Sequence, residues 1–174
     1  METYDTILSK RDTRAYEARA ILHDVLLRIV QAGRMAGSAK NAQPVRLVVV
    51  RDQPQKEALA ACGDYTPHLP VAAAAIVIVL VPEEGKPPGE FAMFRGPFDA
   101  GRCAQNMMLA AWDQGITSCP VTMHRGADAA KVLGLPPGHV VANVIALGYP
   151  ADGARHAEPR PRLPVEEYVH WERW

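Results

Sequence analysis

Apolar positions along this chain recur with two different periods, and the switch between them marks out the elements. Residues 4–9 read as a short helix, and Ile21, Leu22, Val25, Leu26, Ile29 and Val30 then return at three- and four-residue spacing, with Asp24, Arg28 and Gln31 left outward. That is the pattern of an amphipathic helix. Residues 45–50 (VRLVVV) read as a strand, residues 54–61 as a helix, and residues 74–81 (AAIVIVLV) as β-branched and apolar without alternation. A strand of that kind is buried on both faces, which places it at the centre of a sheet. Residues 97–114 are apolar nearly all round, as expected for a helix in the middle of a protein, and Gly115 closes it. A strand at 116–121, a helix at 127–133 stopped by Gly134 and Pro136, and a last strand at 140–147 complete the series. The class predicted is α+β, with helices flanking a central mixed, mainly antiparallel sheet.

Two stretches break the pattern. Residues 82–96 carry three prolines and three glycines, too many for a continuous element, with Phe91, Met93 and Phe94 near the end. After residue 150 the composition turns to Pro, Arg and Glu and closes on Tyr168, Trp171 and Trp174, aromatics that solvent does not favour. This arm, 151–174, is expected to dock on a partner subunit, and residues 1–174 are expected to form one domain.

Charge and cysteine usage narrow the function classes. Basic and acidic side chains balance at 19 each, so no summed positive field draws the chain to nucleic acid or anionic lipid. The apolar run at 71–81 is about half the length needed to span a bilayer, and the first ten residues lack a secretory apolar stretch. A cytoplasmic protein acting on a small molecule is the expectation. Cys62, Cys103 and Cys119 lie far apart in sequence and read as reduced, structural thiols. No histidine pair has metal-site spacing and no serine has a nucleophile-elbow context, so neither a metal nor a catalytic triad is expected. Chemistry without a protein nucleophile is what a redox cofactor allows, since the cofactor asks the protein for binding, orientation and electrostatics.

Three groups of residues could serve such a cofactor. Lys10, Arg11 and Arg14 gather three cations within five residues, and Arg160 and Arg162 alternate with proline further on. Either cluster alone reads as solvated surface, but together they could share one phosphate. In the loop before the first strand, Ser38, Asn41 and Gln43 offer both donors and acceptors, matching the edge of a pyrimidine-like ring as well as an ordinary polar turn. Pro44 biases Gln43 away from helical geometry. Gln105 and Asn106, on the apolar helix, are expected to knit the core rather than touch a ligand.

Taken in order, these segments resemble the nitroreductase family of flavoproteins from residue 4 to residue 174. KRDTRAY at 10–16 is similar to the family's RRSxRxF, AGSAKNAQPVRLVVV to PSxxNxQPWxFxVV, and FDAGRCAQNMMLAAWDQGITSCP to its central-helix motif. VLGLPPGHVVANVIALGYP and RPRLPVEEYVHW resemble the last strand and C-terminal arm. The resemblance implies an obligate homodimer with non-covalent FMN at the subunit interface and NADH or NADPH as electron donor. It implies that Lys10, Arg11, Arg160 and Arg162 bind the phosphate and ribityl end, with Asp12 beside them and Arg14 nearer the ring. Ser38, Asn41 and Gln43 would contact the ring and ribityl chain. Pro120, Val121 and Thr122 would pack on one ring face and offer a backbone N–H, with no catalytic side chain. Hydride taken from the nucleotide and passed to a nitroaromatic, quinone or similar acceptor implies ping-pong kinetics. Flavin breakdown to dimethylbenzimidazole, aromatic dehalogenation and simple flavin storage are the alternatives. The chain departs from the motifs at Asp12 for Ser, Gly37 for Pro and Val45 for Trp, and a carboxylate at position 12 needs Arg11 or Arg14 to compensate it. The shortened 82–96 region leaves substrate cover to Phe91 and Phe94.

Overall fold

A computed structural model describes residues 2–82, 95–154 and 161–174. Phe91, Met93, Phe94 and Arg160 lie outside the described residues. In chain order the elements are α1 (Thr3–Ser9), α2 (His23–Arg34), a 3-10 turn (Ala39–Asn41), β1 (Val45–Val50), α3 (Gln53–Ala60), β2 (Ala74–Leu80), α4 (Gly96–Asp113), β3 (Thr117–Val121), α5 (Gly126–Val132), β4 (Val140–Gly148) and α6 (Val165–Tyr168). The α+β class is as the sequence predicts. The four strands lie in the order β1-β2-β4-β3 and every pair is antiparallel. Among the described residues the parallel component expected of the sheet is confined to a bridge between Asp12 and Ser118.

β2 explains the uninterrupted apolar run. Its even-numbered residues Ala74, Ile76, Ile78 and Leu80 face one core with Ile145 and Leu147 of β4, covered by α2 and α4. Its odd-numbered residues Ala75, Val77 and Val79 face a second core with Val144 and Ala146, covered by Leu59 of α3 and Ala129 of α5. All seven residues are buried, which removes the alternation that a one-sided strand shows. At about 1.5–3 kcal/mol for each fully buried Val, Leu or Ile, this strand anchors both cores.

α2 buries Leu26 and Ile29 along the predicted stripe and crosses α4 at Gly33. A methyl group at Gly33 would fall 2.6 Å from Met107 Cγ and 3.0 Å from Cys103 Sγ, so the missing side chain sets how closely the two helices approach. α3 begins at Asp52, whose carboxylate accepts from Gln55 N at 3.1 Å. Cys62, Cys103 and Cys119 are buried and unbonded to one another, and burial pushes all three thiols up, Cys103 to about 11.

The central position expected of α4 requires correction. Ala100, Cys103, Met107 and Ala111 face the core, whereas Phe98, Gly101, Arg102 and Gln105 are exposed. The helix is apolar all round because small residues occupy much of its outer face, and within one chain nothing in the two cores demands that face. Gln105 therefore does not knit the core; Asn106 does, its Nδ2 donating to Ala32 O at 3.2 Å.

The N-terminal segment docks on the far end of the sheet. Trp112 of α4 donates to Ser9 Oγ at 3.0 Å, Thr13 N donates to Ser118 O at 3.2 Å, and Glu17 N to Tyr149 O at 2.9 Å. Tyr16 lies against Gly148, where a methyl group would fall 2.7–2.9 Å from the ring and its Cβ. Gly148→Ala is expected to lower stability by about 1–3 kcal/mol through this overpacking. Urea denaturation checks it, and combining the change with Tyr16→Ala should cost less than the sum of the two single changes.

Candidate functional site

The docked segment carries the first group of candidate residues to the edge of β3. Lys10 is nearly buried; its ammonium pairs with Asp12 and reaches Met108 Sδ at 3.7 Å. The compensation needed by the Asp12 carboxylate thus comes from Lys10, two residues back, and among the described residues no ion pair joins Asp12 to Arg11 or Arg14. Arg11 folds over the end of α1, donating through Nη1 to Leu8 O at 2.7 Å and Lys10 O at 2.9 Å. Both carbonyls belong to the negative end of that helix.

Arg14 is exposed, and polar groups that are themselves buried lie within reach of its charge. It biases Tyr16, His68 and Cys119. Burial raises the Tyr16 phenol well above its usual range, with Cys119 and Asp12 adding to the rise and Arg14 opposing it. Burial lowers the His68 imidazole, and the neighbouring Arg14 charge lowers it further. The Tyr16 hydroxyl, both His68 ring nitrogens and the Ser118 hydroxyl are all buried with no hydrogen-bond partner among the described residues. Buried polar groups ordinarily find partners, since an unmade hydrogen bond costs about 1–3 kcal/mol. Three of these atoms, on Tyr16 and His68, belong to residues that the Arg14 charge reaches, so polar groups without partners of their own gather beside an exposed guanidinium.

Of the adjoining candidates, Pro120 is exposed at the edge of β3, Val121 is buried in the second core and Thr122 is exposed just beyond. Thr122 is flanked by a clamp. Arg125 Nη1 pairs with Asp64 at 2.7 Å and Nη2 donates to Ala61 O at 2.8 Å, while Asp64 N donates to His124 Nδ1 at 3.1 Å. The loop after α3 is thereby tied to the loop after β3.

The second group sits on the loop between α2 and β1. Lys40, Asn41 and Gln43 have φ of 53°, 54° and 49°, in the left-handed region. Gln43 avoids right-handed helical geometry, as Pro44 requires, but does so by turning left-handed rather than extended. Non-glycine residues held this way cost on the order of 1–3 kcal/mol each and persist only where the surroundings impose them. Here Gln43 N donates to Ser38 Oγ at 2.9 Å and Arg46 Nη1 donates to Gln43 O at 2.8 Å. Behind the loop lies a cavity of about 390 Å3, lined by Gly33, Ser38, Gln43, Leu47, Asp99 and Cys103 among others.

The two groups meet α4 at different turns. Gly37, just before the 38–43 loop, abuts α4 at Arg102, whereas Lys10 meets the same helix at Met108. Six positions separate these contacts, about 9 Å along the helix axis at 1.5 Å per residue. Arg162 is exposed on the C-terminal arm. His68, Tyr16 and Ser118 were not legible as site residues from the sequence; the one available signal is an isolated polar residue within a segment that the fold buries.

The profile of the Nitroreductase family matches residues 7–66 and 54–149. The chain is 30% identical to a provisionally named NADH dehydrogenase/NAD(P)H nitroreductase of Archaeoglobus fulgidus, over 99% of both chains. Among solved structures it resembles the NADPH:FMN oxidoreductase of Vibrio harveyi complexed with NAD+, with a TM-score of 0.88, 29% identity, and coverage of 99% of this chain and 77% of that one. It also resembles a provisionally assigned nitroreductase of Desulfovibrio desulfuricans in complex with FMN, with a TM-score of 0.83 and 26% identity over 100% and 98% of the two chains.

The depressed His68 imidazole gives this site a signature in stability. Neutral His68 is the form that folds, so as pH falls below the ordinary value of 6.5 the unfolded chain binds a proton before the folded chain does. Stability present above 6.5 is then lost as pH falls toward the depressed folded value. Urea unfolding between pH 8 and pH 5 should show this loss in the native protein and a flatter profile in His68→Leu.

Proposed function

The chain belongs to the nitroreductase family, and we propose that it is an oxidoreductase that holds FMN non-covalently, takes electrons from NADH or NADPH, and passes them to a small acceptor such as a nitroaromatic or quinone. The observation that carries this reading is the set of unpartnered buried polar atoms on Tyr16 and His68, both within reach of the Arg14 charge.

The residues present fit the cofactor. Its ring edge needs alternating donors and acceptors, which hydroxyls and a neutral imidazole supply. Its phosphate needs cations: Arg11 keeps donors beyond the two hydrogen bonds made by Nη1, and Arg14, Arg160 and Arg162 add three guanidiniums. Lys10, neutralised by Asp12, would fix the segment from which Arg11 and Arg14 project. Arg14 would stabilise negative charge at the pyrimidine end of the ring. Pro120, Val121 and Thr122 would form the floor under one ring face, with Val121 anchored in the core so that its backbone, not its side chain, meets the ring. When bound, FMN supplies the redox chemistry, accepting hydride from the nucleotide and returning electrons to the acceptor.

The separation of the two groups along α4 supports a site shared between two copies of the chain. Tyr4, Ile7 and Leu8 of α1 are 51–70% exposed, and Leu163, Val165, Tyr168, Trp171 and Trp174 of the arm are at least 62% exposed. Surfaces of this kind mark interaction sites. In the proposed homodimer these residues pack on the second subunit, and Ser38, Asn41 and Gln43 of one copy complete the Lys10–Arg14 site of the other. Donor and acceptor use one opening in turn, giving ping-pong kinetics. Among the described residues no helix is long and apolar enough to cross a membrane, and the proposed location is the cytoplasm.

The visible absorption spectrum of the purified protein, before and after NADH or NADPH without oxygen, tests the proposal. Flavin bands that bleach are expected; a protein that is colourless and takes up no added FMN overturns it. Arg14→Ala should weaken FMN binding about ten- to a hundredfold, the equivalent of one charge-assisted hydrogen bond at about 1.5–3 kcal/mol. Equilibrium titration of the apoprotein checks this.

A further inference from the structure

The clamp between the loop after α3 and the loop after β3 is more than a surface tie. Arg125 donates through Nη1 to Asp64 at 2.7 Å, through Nη2 to Ala61 O at 2.8 Å and Gly63 O at 3.2 Å, and through its backbone N to Cys62 O at 2.9 Å. Ala61 is the C-cap of α3, and carbonyls at such an end lack partners within the helix, so a cation there satisfies them and meets the negative end of the helix dipole. Capping explains only part of the arrangement. The pair with Asp64 is exposed on both sides, and an exposed pair contributes little to stability. Gly63 comes so close to the opposite loop that a methyl group on it would fall 2.9 Å from Thr122 O and overlap Thr66 Cγ2. The return contact runs from Asp64 N to His124 Nδ1 at 3.1 Å. Residues 61–64 are thus drawn onto residues 122–125, with glycine at the point where a side chain would hold them apart.

Each loop leads directly to a candidate site residue. On one side the contact falls on the Thr122 carbonyl itself, within the 120–122 backbone. On the other, Thr66 Oγ1 donates back to Ala60 O at 2.7 Å and Leu69 N donates to Thr66 O at 2.9 Å, so the turn that carries His68 is wired to the same end of α3. Thr66 and His68 are both buried, and close-packed atoms transmit a displacement of residues 61–64 rather than absorb it. The His68 ring nitrogens have no partner among the described residues, and a hydrogen bond from either to a ligand depends on where the ring is held. We propose that Arg125 and Gly63 are positioning residues: together they fix the place of His68 relative to the 120–122 backbone, and so the fit of the flavin ring against both. The proposal rests on the flavin reading above and adds to it two residues that touch neither end of the cofactor.

Two substitutions disturb the contact by different routes. Arg125→Gln removes the ion pair and the guanidinium bonds, whereas Gly63→Ala leaves the guanidinium in place and pushes the loops apart. Both are expected to weaken FMN binding to the apoprotein about tenfold, the loss of roughly one hydrogen bond to the ligand, and to change the visible circular dichroism of the flavin that binds. Arg125→Lys, which keeps the charge but not the planar fork, should recover part of the affinity. The second readout needs no flavin: NMR titration of the histidine ring protons, with the His68 resonance identified by its absence from His68→Leu. In both variants His68 should titrate closer to its ordinary value of 6.5 than in the native protein, since displacing the loop loosens its burial while Arg14 stays in place. Asp52→Ala, which removes the cap at the opposite end of α3, is the control for lost stability alone and should change neither readout. Arg125→Gln and His68→Leu together should weaken FMN binding by less than the product of their separate effects, because the first acts in part through the second. FMN affinity within twofold of native in both variants overturns the proposal, as does strict additivity of that pair. Equal changes in Asp52→Ala would overturn it too, by assigning the clamp to stability. A native protein that takes up no FMN, with His68 still shifted in both variants, would refute the flavin reading and leave the positioning of His68 standing.

Discussion

The burial of β2 on both faces is the constraint on which the rest of the structure depends. Seven consecutive residues without a polar side chain can be satisfied only by two separate cores, and two cores require helices on both sides of the sheet. α2 and α4 supply one cover, α3 and α5 the other. Because α2 and α4 pack through Gly33 against Met107 and Cys103, the approach of the two helices is set to within the size of a methyl group. Both groups of candidate residues take their places from α4, the loop after α2 at one end and the N-terminal segment toward the other.

The N-terminal segment shows how a charged stretch is held at a sheet edge without losing its function. The bridge from Asp12 to Ser118 and the contact of Tyr16 with Gly148 fix the backbone. The Lys10–Asp12 pair then neutralises the cation that faces the protein, leaving Arg14 exposed. A nearly buried ammonium would be costly unpaired, so the carboxylate at position 12, a liability beside a phosphate, is an internal partner here. The result is a segment whose net charge toward solvent comes from arginines, which do not lose their proton and which recognise phosphate through several donors.

The strained loop at 38–43 obeys the same logic. Left-handed backbone at Lys40, Asn41 and Gln43 is stabilised by the Ser38 hydroxyl and the Arg46 guanidinium, both directed at the Gln43 backbone. With Gln43's main chain satisfied internally and its Nε2 donating to Asn41 O at 3.4 Å, the exposed Asn41 side chain sits on a loop whose shape is already set, which lowers the ordering cost of binding.

From the sequence alone come the order and type of the elements, the two-faced burial of β2, and the helix stripe from Ile21 to Val30, because period and composition are local properties that burial selects for directly. The family motifs likewise appear as contiguous strings, so Lys10, Arg14, Ser38 and Asn41 could be named without coordinates. Only the tertiary structure decided that Lys10 and not Arg11 answers Asp12, that α4 presents an exposed outer face, and that His68, Tyr16 and Cys119 come within reach of the Arg14 charge. Those three residues are separated by 50 or more positions from one another along parts of the chain. No local pattern encodes their meeting, because it arises where a docked segment, a loop and a strand edge converge. The same holds for Gly37 and Arg102: the missing side chain and the guanidinium that occupies its place are far apart in sequence and meaningful only together.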